Sequence, residues 1–144
     1  RSAFEAQTKN ASALVFTFRG NYAVVQKPEA YGWVRTDGTV VTGVSIKQPI
    51  SISPLADHAV VGTFWFQRGR DFFTAADQMI AANDRINGEF YVDQVFEYLV
   101  NSDQEVRVIE VDRYLCWGTP EDYEAYEATL AYWTKFVSKE NWLT

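Results

Sequence analysis

Residues 88–122 constrain the fold of this chain more than any other segment. Apolar side chains recur at helical spacing through residues 90–100, and residues 105–111 alternate between polar and apolar, as a half-buried strand does. After an aromatic turn, Thr119 and Pro120 predict a helix start, with threonine as the N-cap and proline at the first helical position. A helix, a strand and a capped helix in succession predict an α/β fold, in which helices pack on a sheet.

The residues before this segment are typical of strands. Residues 13–18 form a nearly continuous apolar run, which predicts a strand buried on both faces. Residues 31–36 and 39–46 flank Asp37-Gly38, a strong signal for a hairpin turn. Residues 59–67, A-V-V-G-T-F-W-F-Q, have the strongest strand character of the whole chain. We therefore expect most of the sheet to come from this part of the sequence.

Other segments predict shorter elements. Residues 22–26 are compatible with a short strand, and residues 50–58 form a loop that contains His58. Residues 70–83 have helical spacing, and a turn at 83–88 follows them. The predicted apolar face of that helix comprises Phe72, Phe73, Ala76, Met79 and Ile80.

The helix that begins after Thr119 carries an apolar stripe at alternating steps of three and four residues, and such a stripe must pack on something. The stripe comprises Tyr123, Tyr126, Leu130, Trp133 and Val137. The sequence shows no internal repeat, low-complexity segment or linker. It therefore predicts a single domain over residues 1–144, with a mixed sheet and helices packed on it.

Composition and charge argue against several classes of partner and site. The formal net charge of −6 and the lack of a basic run disfavour nucleic acid or an anionic membrane surface as the partner. Cys116 is the only cysteine, so neither an internal disulfide nor a Cys-rich zinc site can form, which favours a cytoplasmic protein. No apolar run approaches the roughly 20 residues that span a bilayer, and no signal peptide is recognisable.

Four motifs, in order over about residues 13–126, carry a resemblance to a known family. They are T-D-G-T-V-V, S-I-K-Q-P-I-S, A-V-V-G-T-F-W-F, and G-E-F-Y-V followed by a strand and C-W-G-T-P-E-D-Y. Together they resemble the C-terminal part of sugar nucleotidyltransferases, the nucleoside-diphosphate-sugar pyrophosphorylases. The resemblance implies an incomplete Rossmann-like nucleotidyltransferase fold and transfer of a nucleoside monophosphate from a nucleoside triphosphate to a sugar phosphate. It also implies sugar phosphates or nucleotide sugars as partners, and Mg²⁺ as the cofactor of the intact enzyme.

The chain departs from the family pattern in two ways, by a missing segment and by replaced acids. The glycine-rich loop that cradles the nucleotide phosphates is absent, as is the first metal-binding acid, and the chain opens at Arg1. We therefore expect a fragment that is itself inactive. Cys116 stands where many members have a magnesium-binding aspartate, and Ile46 replaces the acid of the E-K pair. These replacements favour an alternative, a non-catalytic binding or assembly module, and they leave the catalytic and metal-binding residues unassigned.

Three residues are candidates for substrate binding. By the resemblance, Lys47 contacts the sugar phosphate; the alternative is a solvated surface lysine. Glu89 matches the family's G-E, where it would accept hydrogen bonds from sugar hydroxyls or pair with the lysine; the alternative is an acid that complements a helix dipole. Gly62 lacks a side chain and would let a sugar approach the sheet, or it marks a bulge without a ligand.

Other polar and aromatic residues are weaker candidates. Asp112 would replace the missing metal ligand, although an aspartate at a strand end more often caps its own turn. Tyr114 and Trp117 are interpreted as core residues. Nothing in the sequence pairs Cys116 with His58 as nucleophile and base.

Self-association is expected from the missing part of the family fold. A sheet that lacks its neighbouring strands leaves a strand edge and an apolar face unsatisfied. We therefore expect a homo-oligomer, or a rearrangement of the N-terminal residues that covers the open edge.

Overall fold

The computed structural model describes residues 2–140 and the side chains of residues 4–138. In chain order its helices and strands are α1 (Ser2–Thr8), β1 (Ala13–Phe18), α2 (Ala23–Gln26), β2 (Gly32–Asp37), β3 (Val40–Ile46), β4 (His58–Phe66), α3 (Gly69–Ala81), α4 (Val95–Asn101), β5 (Val106–Glu110) and α5 (Pro120–Glu140). Short 3₁₀ helices at Pro28–Ala30 and Val92–Gln94 precede β2 and α4. Internal contacts group the chain into two compact units, Arg1–Arg113 and Tyr114–Thr144.

The five strands within the described residues close into a barrel, in the order β1-β4-β2-β3-β5. β1 and β5 run parallel, whereas the other neighbouring pairs are antiparallel. The predicted α/β class with a mixed sheet is therefore confirmed. The sheet closes on itself as a barrel. The prediction of an incomplete Rossmann-like sheet with an open edge does not include this closure.

Most predicted strands are present with nearly the predicted bounds. β1 is buried or half-buried at every position, and β5 alternates, as the two sequence patterns predict. The hairpin of β2 and β3 turns at Gly38, whose φ of 56° lies in the left-handed region that glycine adopts without strain. Local patterning was sufficient here because the turn and both strands are adjacent in sequence.

Two local predictions are wrong. Residues 22–26 do not form a strand, because the Asn21 side chain accepts the backbone N–H of Ala23 at 3.0 Å and the chain continues as α2. His58 is the first residue of β4 and not a loop residue. Its Nδ1 lies 2.9 Å from Oγ1 of the buried Thr17 on β1, so this side chain joins the two strands.

The buried face of α3 also differs from the prediction. Ala75 and Met79 are buried, whereas Phe73 and Ile80 are 64% and 53% exposed. A helix with apolar residues on several sides does not specify which side the sheet covers, and here Phe72 packs inward in place of Phe73. Its ring lies 5.0 Å from that of Phe66 on β4, centroid to centroid.

Helix α4 begins later than the predicted 90–100. Val92 is in the preceding 3₁₀ helix and is exposed, whereas Val95, Phe96 and Leu99 are buried, as the pattern predicts. The Phe96 ring stacks on Phe66 with centroids 5.2 Å apart. Helix α4 is thereby anchored in the hydrophobic core that it shares with the strands and α3.

The barrel closes at a narrow seam between β3 and β5. The only register pair between these strands, within the described part, is Val40 with Arg107, and the Val108 N–H donates to the Thr39 carbonyl at 2.9 Å. Farther along β3, the carboxylate of Glu97 on α4 accepts the backbone N–H of Val44 at 2.8 Å. A side chain therefore satisfies a strand amide for which β5 supplies no acceptor.

The second unit contains the predicted capped helix. The Asp122 N–H donates to Thr119 Oγ1 at 3.2 Å, and the Thr119 N–H donates to Asp122 Oδ2 at 3.1 Å, a reciprocal cap that confirms the predicted helix start. Trp117 packs on Tyr126, with ring centroids 5.3 Å apart. The packing of the apolar stripe on the sheet and the organisation as a single domain remain predictions.

Among the described residues, no helix has the length and apolar character to cross a membrane.

We predict that Glu97→Ala lowers the free energy of unfolding by about 1–3 kcal/mol, because the amide of Val44 loses its charged acceptor. Urea denaturation, followed by circular dichroism, measures this change. Glu97→Gln retains an acceptor oxygen and should lose less.

A matched control is Glu124→Ala, a glutamate-to-alanine change at an exposed position of α5. We expect it to change the free energy of unfolding by no more than about 0.5 kcal/mol. If Glu97→Ala lowers the free energy of unfolding no more than this control does, the hydrogen bond to Val44 does not stabilise the seam between β3 and β5.

Candidate functional site

A cavity of about 590 Å³ lies beside the end of β3, and we call it the Lys47 cavity. It brings together Lys47 and Glu89, two of the three candidate binding residues, along with Ile46. The lining residues are Glu29, Ile46, Lys47, Gln48, Ile86, Asn87, Glu89 and Tyr91. Three separate segments therefore contribute to one predominantly polar site.

Lys47 occupies an unusual position immediately after β3. Its backbone N–H still donates to the Tyr31 carbonyl at 3.0 Å, but its φ of 63° is left-handed, which is uncommon for a residue with a long side chain. Its ammonium donates to the Ala30 carbonyl at 3.1 Å and lies 5.3 Å from the centre of the Tyr91 ring. Backbone strain of this kind is enriched at functional sites, so Lys47 remains a candidate binding residue.

Glu89 lies on a tight hairpin and not at a helix start. The backbones of Ile86 and Glu89 exchange two hydrogen bonds of 2.9 and 3.0 Å. Between them Asn87 and Gly88 both have positive φ, 52° and 82°, the pattern of a type I′ turn. The interpretation of Glu89 as an acid at a helix N-terminus therefore does not hold, since the helical residues begin at Val92.

Tyr91 connects the two candidate residues, and the sequence analysis missed it. Its hydroxyl donates a short hydrogen bond to Oε2 of Glu89, and its ring contacts the ammonium of Lys47. The bond to Glu89 is the main cause that raises the pKa of Tyr91 above its ordinary value. The sequence contains a signal that could have identified Tyr91. Glu89 and Tyr91 are two residues apart after an Asn-Gly turn, and in an extended segment side chains at that spacing lie on the same side.

Asp93 lies beside the cavity in a largely buried position. Burial raises the pKa of its carboxyl, while its own backbone N–H, Lys47 and the Gln94 N–H oppose the shift. Its carboxylate lies against Gly32, where a methyl group would overlap it. Glycine at position 32, where β2 begins, therefore leaves room for the Asp93 carboxylate, which interacts with Lys47.

Gly62 is not among the residues that line the Lys47 cavity. It has a φ of 91° and lies in an irregularity where Val15 pairs with Phe64 but Thr17 pairs with Val60. The predicted bulge in β4 is thus present. The space that a Cβ would enter is open, so a ligand role for Gly62 remains a prediction.

A second cavity, of about 260 Å³, adjoins His58. The Arg19 guanidinium donates to both oxygens of Glu110, at 2.9 and 2.7 Å, and this bond is the main cause that lowers the pKa of Glu110. Burial and then Arg19 lower the pKa of His58, which disfavours its charged form. The lining comprises Gln7, Arg19, Gly38, Thr39, His58, Val108, Ile109 and Glu110.

The described residues do not fit a protein-built metal site. Among them, no group of three or more His, Cys, Asp or Glu side chains could hold a metal ion together. Asp112 is exposed after β5, and the Cys116 thiol donates to Asp122 Oδ2 at 3.4 Å. No such cluster of described residues therefore supports the predicted role of Asp112 as a substitute magnesium ligand.

We predict that Asp93→Asn stabilises the fold at neutral pH. Burial raises the folded-state pKa of Asp93. The contribution of this carboxyl to stability is therefore greatest below about pH 4, where it is protonated in the unfolded chain as well. That contribution is lost as the pH rises through the folded-state pKa. Asparagine removes this loss. Urea midpoints of both proteins across this range should converge at low pH and separate toward neutrality. An equal difference between the two urea midpoints at every pH would contradict a raised pKa of Asp93.

Comparison with known proteins identifies the fold. No protein-family model and no curated protein matches the sequence. The chain is similar to the nucleoside-diphosphate-sugar pyrophosphorylase from Vibrio cholerae RC9, with a TM-score of 0.69 and 18% identity, covering 83% of this chain and 48% of that one. It is also similar to CMP:2-keto-3-deoxy-manno-octonic acid synthetase complexed with CTP, with a TM-score of 0.54 and 16% identity, covering 90% and 53%.

The chain spans about half the length of each of these two structures. At such low sequence identity the likeness concerns the fold. The resemblance indicated by the sequence motifs is therefore confirmed for the fold, which this chain shares with about half of a nucleoside-diphosphate-sugar pyrophosphorylase.

Proposed function

We propose that this chain forms the sugar-phosphate site of a nucleotidyltransferase, an enzyme that transfers a nucleoside monophosphate from a nucleoside triphosphate to a sugar phosphate. One observation carries the proposal: Lys47 and Glu89, from segments far apart in sequence, line one cavity and are linked by Tyr91. The fold shared with the pyrophosphorylase supports it.

The reaction requires the protein to position the two reactants more than to form covalent bonds with them. A phosphate oxygen of the sugar phosphate attacks the α-phosphorus of the triphosphate, and pyrophosphate leaves. In this proposal Lys47 holds the sugar phosphate, and Glu89 accepts hydrogen bonds from sugar hydroxyls. The ammonium of Lys47 would exchange the neutral Ala30 carbonyl for a phosphate oxygen, which forms the stronger, charge-assisted bond.

Several finer features belong to the same proposal. Within a protein of the full length of these relatives, the described barrel would be part of a Rossmann-like nucleotidyltransferase fold that this chain alone leaves incomplete, and Mg²⁺ would serve the complete enzyme. We also propose a cytoplasmic homo-oligomer, and a chain that without a nucleotide-binding segment has little or no activity.

One observation favours a second function, a non-catalytic binding or assembly module. Ile46 is only 8% exposed and lines the cavity at the position where the resemblance places an acid. Measuring turnover of a longer chain, with the nucleotide-binding segment joined to this one, distinguishes the two functions. Turnover supports the enzyme, and its absence with every nucleotide supports the module.

We predict that Lys47→Gly abolishes the binding of sugar 1-phosphates and nucleoside-diphosphate sugars but leaves the fold intact. Glycine removes the ammonium and adopts the left-handed backbone without strain, so the free energy of unfolding should change by no more than about 1 kcal/mol. Isothermal titration calorimetry with a panel of these ligands, with and without Mg²⁺, measures binding, and urea denaturation measures stability.

Lys9→Gly is the control, because Lys9 is exposed and lies outside the cavity. It should bind every ligand that the unaltered chain binds. Saturable binding that persists in Lys47→Gly would exclude this lysine as the phosphate-binding residue.

A further inference from the structure

The Lys47 cavity contains more acid than cation. Lys47 supplies the one positive charge of its lining, and Glu29 and Glu89 supply two negative charges. The largely buried carboxyl of Asp93 interacts with the same lysine from outside the lining. A doubly charged phosphate alone would therefore enter a site whose lining has a net negative charge.

The two glutamates are not used to neutralise the lysine. The ammonium of Lys47 donates to the Ala30 carbonyl, and within residues 4–138 it forms no ion pair with Glu29 or Glu89. The Tyr91 hydroxyl bonds Oε2 of Glu89, so the other oxygen of this carboxylate is available to a ligand. Both acids are exposed and are therefore accessible to a bound molecule.

The acids and the cation also come from different segments. The run Ile46-Lys47-Gln48 at the end of β3 carries no acid, because isoleucine precedes the lysine. Glu29 comes from the 3₁₀ helix Pro28–Ala30, and Glu89 from the hairpin at residues 86–89. A molecule that contacts all three segments meets a cation on one of them and a carboxylate on each of the other two.

We propose that the cavity takes a phosphate monoester that also carries a cationic nitrogen, such as an amino sugar phosphate with a free amine. The phosphate binds Lys47, and the ammonium group binds the carboxylates of Glu29 and Glu89. This inference rests on the proposed function and specifies its substrate class. A neutral hydroxyl in place of the ammonium also donates hydrogen bonds to a carboxylate, but it leaves the excess negative charge uncompensated.

Two probes with the same ring test the inference. Glucosamine 1-phosphate and glucose 1-phosphate differ in one substituent, an ammonium group in place of a hydroxyl. Calorimetric titrations at neutral pH and low salt, with EDTA present so that no divalent cation binds the carboxylates, should show about tenfold tighter binding of the amine, the ratio expected for one charge-assisted bond. Added salt should reduce the ratio.

The double variant Glu29→Gln/Glu89→Gln should bring the ratio close to one, while Glu124→Gln on α5 leaves it unchanged. Both altered glutamates are exposed, so glutamine does not bury an unpaired group, and circular dichroism checks that the fold is retained. N-Acetylglucosamine 1-phosphate, in which the nitrogen is neutral, should bind no more tightly than glucose 1-phosphate.

The outcomes separate this inference from the function on which it rests. Equal or tighter binding of glucose 1-phosphate, lost in Lys47→Gly, overturns the inference and leaves the sugar-phosphate site. A preference for the amine that survives in the double variant also overturns it. If the folded chain binds neither probe, the inference and the proposed sugar-phosphate site of this chain both fail.

Discussion

Strand β1 is the element on which the rest of the structure depends. It forms hydrogen bonds on both sides, antiparallel to β4 and parallel to β5, and each of its side chains is buried or half-buried. The parallel pairing brings the end of the described first unit next to its beginning, and this closes the barrel. The hairpin of β2 and β3 then occupies the remaining gap, with the Glu97 carboxylate on the amide of Val44 where the strands separate. The position of the Lys47 cavity follows, because it lies where β3 leaves the barrel.

Elements whose determinants are local in sequence were predictable, and those that depend on distant partners were not. The Asp37-Gly38 turn and the Thr119 cap each operate within a few residues, so the sequence specifies them. Barrel closure depends on the register of Val40 with Arg107, which no local pattern encodes. The strand wrongly predicted at residues 22–26 has another cause. Apolar residues fit either conformation, and the hydrogen bond that the Asn21 side chain accepts from the backbone N–H of Ala23 decides between them.

The same distinction applies to the site. Lys47 and Glu89 were identified from the family resemblance, and the structure brings them into one cavity. Tyr91 was missed because its role comes from the approach of the hairpin at 86–89 to the end of β3, a long-range contact. Asp93 was missed because its burial against Gly32 depends on how the 3₁₀ helix packs on the barrel. Gly62 was a candidate for sugar binding with a bulge as the alternative; the bulge is present, and Gly62 is not in the lining of the Lys47 cavity, since a glycine in a strand indicates irregular backbone and not which ligand approaches it.

The left-handed backbone of Lys47 has an evolutionary consequence. Folding alone selects against lysine at this position, because asparagine and glycine adopt the same conformation at lower cost. A lineage that no longer used the cavity would gain stability from either replacement, and mutation would drift toward them. If the cavity binds a sugar phosphate as proposed, selection for that binding offsets this cost and retains the lysine. Among related chains, the residue at this single position would therefore separate those that retain a working site from those that keep only the scaffold.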